Sequence, residues 1–296
     1  GGSVVVLPRF SARSFWQIVA DSRCTWFALV PSMIAQLLSA ADNLADSELD
    51  LSHVRFARSS SAPLPKAHHL RFEEMFEVPL IEAMGTTEAG SVIFSNPLPP
   101  AQRKIGSPGI PQGFEVKIVT PDGHTLPAGS DGLILIRGSS SMKCYHKDPA
   151  QTQKAFDPEG WLTLGDIGHC DSDGYYFITG RQKELIIRSG ENISPREIDE
   201  VICELPEVIE AAAVGIPDTH VGEDLVAFVI LQPGSVLTRS EILNHCECRV
   251  GRLKTPTELF FVDTLPKGPA GKVLRLQLRE KVMNEYRRKE QAAPPP

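Results

Sequence analysis

The stretch Trp161–Asp199, WLTLGDIGHCDSDGYYFITGRQKELIIRSGENISPREID, decides how the chain is read. Gly165-Asp166-Ile167-Gly168 sets one carboxylate between two glycines. Asp171-Ser172-Asp173-Gly174 has the composition of a hairpin turn, because Asp-Gly tolerates positive φ. Tyr175 to Thr179 is aromatic and β-branched, which predicts a strand. Gly180-Arg181-Gln182-Lys183-Glu184 breaks that pattern with a glycine and alternating charge. The apolar Leu185-Ile186-Ile187 then leads into a second turn, Ser189-Gly190-Glu191-Asn192. Ser194-Pro195-Arg196-Glu197 predicts a helix start, with Ser194 at the N-cap, Pro195 after it and Glu197 as a capping-box partner.

Around this stretch the chain has 296 residues, enough for one to three domains. Its apolar and charged fractions are those of an ordinary globular protein. A net charge of −7, with no long basic run, argues against nucleic-acid binding. No apolar stretch reaches the roughly 18 residues of a membrane span, and no charged leader opens the sequence, so a cytoplasmic protein is expected. Six scattered cysteines form no CxxC pair. His245-Cys246-Glu247-Cys248 lacks the second half-site that a structural zinc needs, and reduced thiols are the plainer reading.

Hydrophobic patterning divides the chain. In 1–100, strands at Ser3–Leu7, Trp26–Val30, Val54–Ala57 and Leu80–Ile81 alternate with helices at Ala12–Asp21, Met33–Ala40 and Ala67–Phe76. That alternation predicts an α/β layer with a partial parallel sheet. Its loops at Ser60–Pro63 and Gly85–Glu88 should face one crevice at the strand ends. In 101–182, short strands between Gly, Pro and Asp turns predict a small β-barrel-like subdomain. Residues 183–290 alternate helix and strand as a third, α+β unit, and 291–296 is a Pro-rich tail expected to be disordered.

Four segments, taken together, resemble the adenylate-forming superfamily, and its acyl-CoA synthetase branch in particular. They are Glu82-Ala83-Met84-Gly85-Thr86-Thr87-Glu88, Gly165-Asp166, Gly180-Arg181 with Lys183, and Pro266-Lys267-Gly268-Pro269-Ala270-Gly271-Lys272. Within the branch, Arg58-Ser59-Ser60-Ser61 and Ser95-Asn96-Pro97-Leu98-Pro99 resemble the oxalate–CoA ligase-like group. Ser189-Gly190-Glu191-Asn192-Ile193-Ser194-Pro195 is closer to acyl-CoA synthetases than to peptide-synthetase adenylation domains. The resemblance implies activation of a carboxylic acid as acyl-AMP at the expense of ATP, with Mg²⁺, and transfer to a thiol. That thiol is CoA or, alternatively, the phosphopantetheine of a carrier protein. It also implies an N-terminal adenylating domain, of which 1–100 is part, and a C-terminal lid. The family's glycine-rich phosphate loop has no counterpart here, and Arg58–Lys66 contains no glycine to take its place. The sequence is therefore expected to be the C-terminal portion of a larger enzyme, inactive alone, with the missing N-terminal half as its partner. A non-catalytic split half that binds a partner is the alternative.

The resemblance assigns roles residue by residue. Glu88 would ligate Mg²⁺, a hard cation that takes oxygen ligands, and Thr87 would touch the α-phosphate. Ser61-Ala62-Pro63 and Glu82 to Thr86 would line the nucleotide, with Met84 standing where the family stacks a tyrosine on adenine. Asp166 would accept both ribose hydroxyls, and Arg181 would reach the ribose or phosphates. Lys272 would stabilise adenylate formation, Lys183 would be the hinge, and Gly190 would line the thiol's approach. Ser60 and Ser91 would border the acid; the oxalate group has a His at the latter point, so a generic carboxylic acid is the expected substrate. Taken singly, each of these residues has a plain structural reading: a helix cap at Thr87-Glu88, a β-turn at Asp166, a surface ion pair at Arg181, a solvated turn at Lys272.

Overall fold

The computed structural model describes residues 2–40, 49–269 and 271–292, the side chains of Ser91 and of 285–292 apart. They form two compact units, Gly1–Thr179 and Gly180–Pro296.

Residues 3–7 are in no regular element, and 3–6 lie exposed, with Val4 at 85 % and Val6 at 82 %. The expected buried strand there does not form: β-branched residues make a strand only where a neighbour pairs with it, and among the described residues none does. The α/β layer follows as α1 (Ala12–Asp21), β1 (Trp26–Leu29), α2 (Pro31–Ser39), β2 (Phe56–Ser59), α3 (Lys66–Phe76) and β3 (Leu80–Thr86). β1, β2 and β3 pair in parallel. One core joins the sheet to the helices through Phe15, Trp16, Ile34, Leu37 and Phe72, with Ala57 and Leu80 from the strands. Trp16 sits edge-on to Phe15 and Phe27, a geometry that suits the aromatic quadrupole.

β3 outruns the expected Leu80–Ile81. Its extension comes from β4 (Ser91–Ser95), which returns antiparallel and pairs from Ala83↔Ser95 to Thr86↔Ser91. β5 (Ile110–Pro111) adds a fifth strand. Gly85 and Thr86, expected in a loop, are therefore strand, fixed by a pairing that local propensity does not reveal.

The remainder of this unit is β6 (Glu115–Val119), β7 (Gly132–Arg137), α4 (Pro149–Ala155), β8 (Leu162–Cys170) and β9 (Tyr176–Arg181). The strands form an open four-stranded sheet in sequence order, with no pairing between β6 and β9, so the expected barrel is not closed. The β8–β9 turn is the Asp-Gly hairpin: Asp171 Oδ1 accepts the backbone N–H groups of Asp173 (3.0 Å) and Tyr175 (2.9 Å).

The second unit comprises β10 (Ile186–Arg188), β11 (Glu191–Ile193), α5 (Pro195–Ile202), β12 (Val208–Asp218), β13 (Gly222–Leu231), α6 (Arg239–Val250), β14 (Glu258–Phe261) and α7 (Arg275–Ala292). Its long β12–β13 ribbon alternates strictly, and both faces are apolar. Ala211, Ala213, Leu225, Ala227 and Val229 meet Ile198, Ile202, Ile242 and Cys246 of α5 and α6. Ala212, Val214, Ile216, Val226 and Phe228 meet Leu278 and Val282 of α7. Ser194 does precede α5, but it makes no side-chain cap hydrogen bond, and Glu197 is drawn away by Lys254 Nζ at 2.8 Å from each carboxylate oxygen. The capping box of this unit is at α6, between Thr238 and Glu241. Of the expected disordered tail, 291 and 292 lie in α7 and 293–296 lie outside the described residues.

Candidate active site

In the first unit the C-terminal ends of β2 and β3 carry the candidate residues. Ser59 pairs in register with Glu82, so the Ser60–Pro63 loop leaves the sheet beside β3. Ser61 holds φ +77°, a left-handed conformation that costs an L-residue about 1 kcal/mol or more. The loop is pinned at both sides: Ser60 N–H donates to Leu29 C=O (3.3 Å), and Leu64 is buried. Ala62 is half-buried, and Ser61 and Pro63 are exposed.

Glu82 faces inward. Its Oε1 accepts from His69 Nδ1 at 2.8 Å and from Gly106 N–H at 3.0 Å. His69 Nε2 faces Glu73 at 3.4 Å, and Glu73 also takes the Leu80 N–H (2.6 Å) and Arg103. Carboxylates at both ring nitrogens call for an imidazolium. Burial disfavours that charge, but the hydrogen bonds and charges of Glu73 and Glu82 outweigh it and raise the His69 pKa. Burial likewise pushes Glu73 up, and His69, Arg103 and the Leu80 N–H bring it down to about 2. This buried array, which sequence reading missed, fixes β3 from behind. No short motif marks it, because its members lie on α3, β3 and the 103–106 loop.

Ala83 is buried, and half-buried Met84 packs against the cluster of Phe94, Ile118 and Leu162. Gly85 and Thr87 are exposed. Thr86 Oγ1 is buried with no hydrogen-bond partner. Glu88 lies in a one-turn 3₁₀ segment, Thr87–Ala89. Its backbone C=O accepts from Met142 N–H (2.7 Å), and its Oε1 accepts from Tyr145 Oη (2.9 Å). Oε2 has no protein partner among the described residues. A carboxylate with one oxygen left unpartnered suits a hard divalent cation, which takes oxygen ligands. Ser91 opens β4.

Asp166 is buried within β8, at a bulge rather than in a β-turn. Leu133↔Ile167 and Leu135↔Thr163 set one intervening β7 residue against three of β8. Bulges re-aim side chains, and here the two flanking glycines serve it differently. Gly165 holds φ +75°, whereas a Cβ on Gly168 would lie 2.0 Å from Phe177 C=O. β8 joins the cluster that holds Met84 through Leu164.

Just past the division at Gly180, half-buried Arg181 ends β9. Exposed Lys183 sits in a 3₁₀ turn, Gln182–Glu184. Gly190, φ +84°, closes a two-residue turn between β10 and β11, with nothing within 4 Å of where its Cβ would be. Lys272 ends a hairpin closed by Gly268 N–H to Lys272 C=O (2.9 Å). Its Nζ is 3.6 Å from Glu184 Oε1, while Glu184 Oε2 meets Arg275 Nε at 3.3 Å. Arg275 is in turn anchored to Asp199 and to Ala213 C=O (2.7 Å). Glu184, also missed from sequence, thus joins Lys272 to the framework of this unit beside Lys183.

These features belong to an α/β fold, and comparison with known proteins gives the family. Residues 1–146 match the model of the AMP-binding enzyme family and 197–272 that of the AMP-binding enzyme C-terminal domain. The chain belongs to the AMP-binding enzymes of the adenylate-forming superfamily. It is 48% identical over 278 residues to a sulfoacetate–CoA ligase of Cupriavidus necator, covering 94% of this chain and 54% of that one. An oxalate–CoA ligase of Saccharomyces cerevisiae is 36% identical, with 97% and 52% covered. Among solved structures, an anthranilate CoA ligase in complex with anthranoyl-AMP superposes with a TM-score of 0.86 at 31% identity, over 95% of this chain and 55% of that one. The chain spans about half the length of the curated relatives it matches.

Proposed function

We propose that this chain supplies the adenylate-binding and lid portions of an ATP-dependent acid–thiol ligase, which activates a small carboxylic acid as acyl-AMP and passes it to CoA. The observation that carries this reading is Glu88, held just past β3 by Met142 and Tyr145, with its second carboxylate oxygen unpartnered among the described residues. The relatives named for sulfoacetate and oxalate support a small acid.

The residues would divide the work as follows. Met84 and the Ser60–Pro63 loop would border the adenine and the acid, and position 91 would belong to the acid pocket. Asp166 would accept the two ribose hydroxyls, since a carboxylate offers two oxygens to two vicinal donors. Thr87 would donate to the α-phosphate and Arg181 would add charge near the ribose. Glu88 would hold Mg²⁺, which when bound supplies positive charge at the phosphates. Lys272 would exchange Glu184 for the oxygens at the carboxylate–phosphate junction, where charge grows in the transition state. Lys183 would be the pivot that replaces the Lys272 hairpin by the Gly190 turn before thiol attack.

The test is ATP–pyrophosphate exchange by the full-length natural protein with a panel of acids including sulfoacetate and oxalate. Acid-dependent exchange, with AMP and a CoA thioester formed once CoA is added, is the expected result. Exchange with no acid of the panel, or ADP as the product, overturns the reading.

A further inference from the structure

We propose that Tyr145 is the positioning residue for the Glu88 carboxylate, and that its phenol sets how that carboxylate meets a divalent cation. The inference rests on the reading of Glu88 given above. Glu88 lies in a single 3₁₀ turn, whose own backbone leaves the side-chain torsions unfixed. Its restraint comes from a loop more than fifty residues further along. Met142 N–H holds the backbone carbonyl and Tyr145 Oη holds Oε1.

Tyr145 is itself anchored. Its backbone N–H donates to Thr152 Oγ1 (2.9 Å), and the same hydroxyl donates to Asp148 C=O (2.8 Å), in the first turn of α4. Its ring packs against the cluster of Ile93, Phe94 and Phe114. Few side chains suit this task as well. A phenol is rigid, carries one O–H, and reaches the carboxylate from a packed ring. A carboxylate held at one oxygen presents the other in a defined direction. A cation then meets a ligand already oriented, and the cost of ordering that ligand is removed from the binding step.

The experiment compares Tyr145→Phe, Glu88→Gln and the double variant in the full-length natural protein. Removing a group that orients a metal ligand costs about tenfold in metal affinity. Tyr145→Phe is therefore expected to raise the Mg²⁺ concentration needed for half-maximal adenylation by about tenfold. kcat at saturating Mg²⁺ should stay within about twofold of wild type, because the ligand itself remains. A readout without turnover is Mn²⁺ binding followed by electron paramagnetic resonance, with ATP present and no acid; affinity should fall by the same factor. Thioester formation from supplied acyl-adenylate should be unchanged. The double variant should be no weaker in Mn²⁺ than Glu88→Gln, since the phenol acts only through that carboxylate. Thr152→Val, which loosens the Tyr145 anchor, should shift Mn²⁺ affinity in the same direction by less, and serves if Tyr145→Phe does not fold.

Unchanged Mn²⁺ affinity in Tyr145→Phe, or in Thr152→Val where that stands in for it, overturns the proposal if Glu88→Gln weakens it, and leaves the reading of Glu88 intact. A uniform loss of kcat at every Mg²⁺ concentration, with Mn²⁺ affinity intact, also overturns it. If Glu88→Gln itself leaves Mn²⁺ binding unchanged, the assignment of Glu88 fails first and the proposal with it.

Discussion

At the scale of single residues, Lys272 and Gly190 are expected to serve different half-reactions. The Lys272 ammonium is partnered by Glu184 at 3.6 Å, a loose pair that an anionic substrate can displace. Removing a preorganised charge of this kind typically costs about 10²–10³ in rate. Lys272→Ala should slow adenylation by that order and leave thioester formation from supplied acyl-adenylate nearly intact. Gly190 has open space around its Cβ position but a φ of +84°, so a bulky residue there would be strained as well as obstructive. Gly190→Asn separates the two effects, because Asn tolerates the left-handed region. It should slow thioester formation while sparing adenylation. The two half-reactions, assayed separately in each variant, decide the matter; equal loss of both steps in both variants would rule out alternation. Asp166 and its two glycines were legible as a motif in the sequence. The bulge that buries the carboxylate was not, because it depends on the register of β8 against β7.

At the scale of elements, β3 is held by charge as well as by apolar packing. Glu73 has a pKa depressed to about 2 from an ordinary 4.5, so its contribution to stability is complete above pH 4.5 and is lost as pH falls towards 2. His69 has the opposite sign: its pKa is raised above 6.5, so its contribution is complete below that pH and is lost as pH rises through the folded-state value. Glu73→Gln should therefore destabilise the first unit at neutral pH by about 2 kcal/mol, the scale of a hydrogen bond to a charged group. That deficit should shrink between pH 4.5 and 2, as the wild-type carboxylate protonates. Thermal melts across this range provide the measurement, and a deficit that does not change with pH would mean that the charge on Glu73 is not what holds the strand. The helices α1, α2 and α3 were legible from hydrophobic patterning and the start of α5 from its Ser-Pro sequence, as were most strands of the first hundred residues. β4 and the length of β3 were not, since each requires the other as its hydrogen-bonding partner. Val4, Val5 and Val6 show the converse: strand-like residues without a partner strand remain exposed.

At the scale of the whole molecule, the division at Gly180 falls beside Lys183, which is exposed while its neighbour Arg181 is half-buried. Limited trypsin digestion is expected to cut after Lys183 before any site within 101–175, giving two fragments identifiable by mass. Early cutting within 101–175, with 181–184 resistant, would argue against a pivot there. The β12–β13 ribbon, with α5 and α6 on one face and α7 on the other, gives residues after Gly180 an interior of their own. That arrangement has an evolutionary consequence. A recombination crossover near Gly180 would leave both sides of the ribbon clothed, so this segment can be inherited as a cassette. Lineages could then trade the module bearing Lys272 and Gly190 without redesigning the sheet that carries Glu88.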